Sequence, residues 1–221
     1  MVIPRVFFAD ARKRSGKILL SAQTIPGGDP IAHQCADLSL GKHGVGDLPD
    51  LDKAVFIAAP HTTNWDGIWL LIYKVALDID VHFLAKHTLF WWPLGNVLRA
   101  LGAMPLDRGD SASTVRQITD EFARRDRFWF ALSPEGTRKW QPHWKTGFYR
   151  IATAANVPIV LAFIDYPSKR MGIGITLPPP RDIERDLRSF REFYEPFQGR
   201  NPENKGAIEF PPNFQPSCAS D

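Results

Sequence analysis

His61 and Asp66, in the stretch Ala58-Ala-Pro-His-Thr-Thr-Asn-Trp-Asp-Gly67, are the residues of this chain best suited to moving a proton. A carboxylate on one imidazole nitrogen fixes the tautomer and leaves the other nitrogen free to act as a base. Spacing alone does not guarantee the contact. On one continuous helix, residues five apart point about 140° from each other and cannot meet. They meet if His61 lies in a turn, or at the very start of a helix, so that Asp66 can reach back to the ring. The flanking residues predict that arrangement. Ala54 to Ala59 is a short aliphatic run that reads as a buried strand, Pro60 stops it, and Ile68, Leu71, Ile72 and Val75 recur at helical spacing. A histidine after a strand is more often an ordinary loop residue, so the pair needs support from the rest of the chain.

That support comes from the elements around it. Strand-like runs occur at 54–59, 81–85, 103–106, 127–132 and 157–164, and helix-like runs at 66–77, 94–101, 113–125, 146–155 and 182–194. In the third helix Val115, Ile118 and Phe122 share a face, with Arg116, Asp120 and Arg124 elsewhere. Strand and helix in alternation predict an α/β fold, with a mostly parallel central sheet covered by helices on both faces. Ligands of such sheets gather at the carboxyl ends of the strands. The first four runs are followed there by His61 and Asp66, by Lys86, by Asp107-Arg108-Gly109, and by Ser133-Pro-Glu-Gly-Thr-Arg138. One rim thus carries a base with its carboxylate partner, and three cations.

Arg108, Arg138 and Lys86, with Lys145 nearby, would form a basic pocket suited to a phosphate group. Gly136 would let the backbone approach closely, and Thr137 offers a hydroxyl and an amide. The plainer alternative makes Glu135 and Arg138 a turn-capping ion pair and Arg108 a surface cation. Phe90-Trp91-Trp92-Pro93 is open to two readings as well: aromatic rings docked on lipid headgroups, or a buried cluster. Trp140 and Trp144, in a polar loop, are expected to be exposed.

Composition narrows the rest. A chain of 221 residues, 44% hydrophobic and 23% charged, fits one globular domain, and a net charge of +3 gives no case for nucleic acid. Seven Trp and fifteen Phe suit an apolar ligand or a membrane surface. Cys35 and Cys218 are widely spaced and form no disulfide framework, so a reducing setting is expected. At the N-terminus the charges follow the short apolar patch, the wrong order for a secretory signal. The nearest approach to a membrane span, Ile68 to Ala85, is broken by Lys74, Asp78 and Asp80, so no span is expected. His61, His82, His87 and His143 fall on different elements without a metal-binding pattern, and neither a nucleophile elbow nor a glycine-rich nucleotide loop is present. No metal or cofactor is expected. Residues 1–45 read as a loosely ordered arm, 46–200 as the folded domain and 201–221 as a tail.

With these residues placed, the chain resembles the glycerolipid acyltransferases, the lysophosphatidic acid (1-acylglycerol-3-phosphate) acyltransferase family, over about residues 46–200. Four blocks in the family's order carry the resemblance: His61 to Asp66 as His-x4-Asp, Gly102 to Arg108, Pro134-Glu-Gly-Thr-Arg138, and Val157-Pro-Ile-Val160. The segment from Lys86 through Pro93 and Gly95 is similar too. The resemblance implies transfer of an acyl chain from a thioester, on coenzyme A or acyl carrier protein, to a hydroxyl of a lysophospholipid-like acceptor. It implies His61 as general base, Asp66 as its support, and Glu135, Gly136, Thr137 and Arg138 with Arg108 and Lys86 around the acceptor's phosphate. Pro60 and Pro105 depart from the residues many members carry, beside the expected acceptor site, and leave the acceptor's identity open. Membrane contact would be peripheral, at the cytoplasmic face. Two rivals use the same fold: a hydrolase that activates water with the same pair, and a catalytically silent lipid-binding module.

Overall fold

Every strand-like run of the sequence is a strand in the computed structural model, which describes residues 48–76, 78–106 and 111–216. The strands are β1 (Lys53–Ala59), β2 (Val81–Lys86), β3 (Ala103–Leu106), β4 (Phe128–Leu132) and β5 (Ile159–Asp165), with a sixth, β6 (Arg170–Leu177), that periodicity did not predict. The helices are α1 (Asn64–Ala76), α2 (Leu94–Ala100), α3 (Ser111–Arg124), α4 (Gly147–Ala155) and α5 (Ile183–Tyr194). Together they make one sheet of order β3-β2-β4-β1-β5-β6. All neighbours are parallel except β6, which runs antiparallel to β5 along one edge.

β1 lies in the middle, paired on one side with β4 and on the other with β5. Residues Ala54 to Ala59 and the whole of β5 are buried, which is why both read as unbroken apolar runs rather than as alternating ones. The connection from β1 to β2 moves one way across the sheet, and those from β3 to β4 and β4 to β5 move the other way. Right-handed crossovers travelling in opposite directions put their helices on opposite faces. On one face Val55, Ile57, Phe130, Ile159 and Leu161 pack with Ile118 and Phe122 of α3, Phe148 and Ile151 of α4, and Phe190 and Tyr194 of α5. On the other face Ala54, Phe56, Val160 and Ile173 meet Tyr73 of α1 and Ile79.

The second face is thinly covered. α1 buries Asp66 and Tyr73, two turns apart on its inner side. Trp65, Ile68, Ile72 and Val75 form an outer stripe, each between 42 and 49% exposed. The apolar repeat that marks this helix in the sequence therefore faces outward, apart from Leu71, which is half-buried. Among the described residues no helix is long and apolar enough to cross a membrane.

Three expectations change. β6 carries Gly172 and Gly174, which look like breaks, but a side chain at Gly174 would run into the ring of Phe193, so glycine is what lets α5 lie against this strand. Trp144, expected at the surface, is 2% exposed and packs with Phe148, Phe190 and Tyr194, whereas Trp140 is exposed. Residue 200 marks no break in packing. Phe210 is buried in the main core, Ile208 and Phe214 pack against it, and the Trp144 amide donates to the Glu209 carbonyl at 2.8 Å. The arm at 1–45, the last five residues and both cysteines lie outside the described residues.

Candidate active site

β1 ends at Ala59, and the chain turns through Pro60, His61 and Thr62 before α1 begins at Asn64. Asp66 sits in the first turn of α1, where a carboxylate is favoured by the unpaired amides and the positive end of the helix dipole. Its Oδ2 accepts the amides of Thr62 at 2.8 Å and Thr63 at 2.9 Å. Folding the turn back over the helix start in this way brings the His61 ring to the carboxylate, with Nδ1 3.2 Å from Oδ2. The side chain of Asp66 is 0% exposed and that of His61 is 21% exposed. The pair thus has a sealed carboxylate and a ring that reaches the surface.

The other oxygen of Asp66 is held by a residue the motif does not contain. The Tyr166 hydroxyl, just past the end of β5, donates to Oδ1 at 2.6 Å. Burial pushes the Asp66 carboxyl up, but the hydrogen bonds from His61, Tyr166 and Thr63 outweigh it and hold the group below the usual carboxylate range. Asp66 is therefore ionised at neutral pH, as a partner that orients an imidazole must be.

On the opposite flank of β1, the loop after β4 brings in Glu135. Its carboxylate accepts the backbone N–H of His61 and lies 3.5 Å from the Ser133 hydroxyl. Glu135 is 3% exposed, and burial drives its carboxyl up to about 7, against the lowering effect of the His61 amide. The sequence reading put Glu135 among the groups around the acceptor's phosphate; its carboxylate instead engages the His61 main chain, and a carboxylate would in any case repel a phosphate. Among the described residues no ion pair joins Glu135 to Arg138. Gly136 has φ +66°, and a side chain there would strike Cγ of Lys145 at 2.8 Å, so the turn needs glycine on both counts. Thr137 is half-buried and Arg138 exposed on the same loop. Lys86 is exposed at the end of β2, two strands from β1 and so about 10 Å across the sheet. Arg108 lies outside the described residues.

A strap that follows α5 completes the loop. Asn201 donates to Thr62 twice, from its amide to Oγ1 at 3.2 Å and from Nδ2 to the carbonyl at 3.1 Å. Gln198 donates to Asp165 at 2.9 Å and accepts from the Tyr166 amide at 3.0 Å. The structure thus brings together His61, Asp66 and Glu135, and adds Tyr166, Thr62 and Asn201, which sequence reasoning missed. One signal could have found Tyr166: it follows the fifth strand, and the rule applied to the first four strand ends extends to it.

What remains is an ionised, buried carboxylate on one ring nitrogen and an accessible ring whose second nitrogen can take a proton, beside a rim bearing exposed cations. A model of the acyltransferase family matches residues 40–164, which end one residue short of the last residue of β5. A 1-acyl-sn-glycerol-3-phosphate acyltransferase of Streptococcus pneumoniae is 30% identical over 103 residues, covering 43% of this chain and 36% of that protein. Those of Salmonella typhimurium and Salmonella typhi are each 26% identical over 152 residues, covering 62% of this chain and 60% of theirs. The matched segments therefore span from about a third to three fifths of the length of these curated relatives. No solved structure gives a significant match. The family match extends over more than half of the sequence and takes in His61, Asp66 and Glu135, and the chain belongs to the acyltransferase family.

Proposed function

We propose that this protein transfers a fatty acyl group from an acyl thioester, on coenzyme A or acyl carrier protein, to the hydroxyl of a lysophospholipid-like acceptor of the 1-acylglycerol-3-phosphate type. The observation that carries the reading is the His61–Asp66 contact at 3.2 Å, with the carboxylate sealed and the ring accessible. His61 takes the acceptor's hydroxyl proton through Nε2 as the oxygen attacks the thioester carbonyl. The tetrahedral intermediate then breaks its carbon–sulfur bond, and the departing thiolate recovers the proton from the imidazolium. Asp66 stabilises that imidazolium while it lasts. Base catalysis of this kind contributes about 10²–10⁴-fold, and holding both substrates in register supplies much of the remainder.

Arg108, Arg138 and Lys86, with the Thr137 amide and the close backbone approach at Gly136, bind the acceptor's phosphate in this reading, and Glu135 holds the His61 main chain. The protein works at the cytoplasmic face of a membrane, without a metal or cofactor, and docks through Trp91, Trp92 and the outer stripe of α1. Mass spectrometry of the products is the test, with purified protein offered mixed lysophospholipids and both donor types. A diacylated lipid formed only with protein, donor and acceptor supports transfer. Free fatty acid formed equally without acceptor would make the protein a hydrolase, and no turnover with either donor would make it a binding module.

A further inference from the structure

Tyr166 belongs to none of the four sequence blocks, yet it makes a 2.6 Å hydrogen bond to the buried carboxylate. The two oxygens of Asp66 are divided between two sides of the site. Oδ2 serves the Thr62 and Thr63 amides and the His61 ring, and Oδ1 receives the Tyr166 hydroxyl. The tyrosine is itself fixed at the main chain. Its amide donates to the Gln198 carbonyl, and the adjoining Asp165 accepts from the amides of Gln198 and Ser168. A donor delivered from so constrained a backbone limits rotation of the carboxylate about its Cβ–Cγ bond. The titratable side chains around the carboxylate are His61, from the turn before α1, Tyr166, from the end of β5, and Glu135, from the loop after β4.

We propose that Tyr166 is a positioning residue for acyl transfer, whose hydroxyl on Oδ1 holds the Asp66 carboxylate in the rotation that presents Oδ2 to Nδ1 of His61. The proposal rests on His61 being the base. Without the hydroxyl, the carboxylate loses a charge-assisted bond in a place water does not reach, and the imidazole loses its fixed orientation. The loss should fall on kcat, by about tenfold or more, and leave the KM for donor and acceptor unchanged.

The test is a double-mutant cycle of Y166F and D66N, assayed with palmitoyl-coenzyme A and a panel of lysophospholipids, together with the NMR resonance of the His61 ring N–H. Y166F should lower kcat alone, add no further loss in the D66N background, and move the His61 resonance. A Y166F loss that persists undiminished in D66N would overturn the proposal, as would an unmoved resonance with kcat unchanged. If the parent protein transfers no acyl group at all, the functional reading fails separately, and the His61 resonance decides alone whether Tyr166 acts through Asp66. Should Y166F fail to fold, Tyr166→Met removes the same hydroxyl with a flexible apolar chain and is read in the same way.

Discussion

Glu135 holds His61 by its backbone rather than by its ring. The carboxylate accepts the His61 amide from 74 residues away, across the β1–β4 pairing, while the ring is left to Asp66. The two acidic residues therefore divide the histidine between them. Asp66 stays ionised, and Glu135, driven up by burial, titrates at about 7.

That value has a consequence for stability. A carboxyl whose folded-state titration is raised favours the folded protein below its ordinary value of 4.5, and this contribution is lost as pH rises through about 7. The E135Q variant keeps an acceptor for the His61 amide but cannot ionise. Between pH 5 and 8 the parent should lose stability relative to E135Q by on the order of a few kcal/mol, read from urea midpoints. His82, depressed by burial, changes stability in the opposite sense over an overlapping range, so the difference between the two proteins is the quantity to measure. Parallel pH curves for parent and variant would remove Glu135 from this account.

His61→Ala and Asp66→Asn should separate activity from stability. The His61 side chain is partly exposed, so its loss should cost about 10²–10⁴ in rate with little change in unfolding. Asp66→Asn should cost rate too, and also about 1–3 kcal/mol of stability, because a buried acceptor of four donors loses its charge. Rates and melting curves measured together check both. Full activity in His61→Ala would rule the residue out as the base.

Arg138 stands exposed on the loop whose Glu135 engages His61, and the proposed function assigns it to the acceptor's phosphate. Arg138→Ala should raise the KM for a phosphate-bearing acceptor by about tenfold, the usual scale for one charge-assisted contact at the edge of a site, and leave the donor's KM alone. Steady-state kinetics with each substrate varied in turn make the measurement. An unchanged acceptor KM would leave Arg138 as a surface residue.

Trp91 and Trp92 are 59 and 81% exposed, and they follow β2 at the carboxyl end of the parallel strands, the end at which α1 also starts. Replacing both by Ser should change stability by no more than about 0.5 kcal/mol each. Sedimentation with vesicles containing anionic lipid should nevertheless recover less of the variant than of the parent. Equal recovery would place the contact elsewhere.

Much of this could be read in the sequence because the strands of a parallel sheet are buried on both faces and leave continuous apolar runs. β1 and β5 are the plainest cases. The His61–Asp66 contact was readable as well, since a strand stop followed by a helical repeat puts the two residues on either side of a turn. β6 escaped because an edge strand bears less of the core and its Gly174 answers to Phe193, a residue on the following helix. Trp144 was misjudged from polar neighbours in sequence, while its neighbours in space are aromatic. Tyr166 lies 100 residues from the carboxylate it serves, and only the pairing of β1 with β5 brings them together.

The position of Tyr166 bears on how the protein can be trimmed. The family match ends at residue 164, so a fragment cut there would keep His61, Asp66 and Glu135 yet lack the phenol on Oδ1, the Asn201 bonds to Thr62 and the Phe210 plug in the core. A ribosome reaches those parts only after the matched segment. The nascent chain must wait for them before the histidine's acidic partner is fully enclosed.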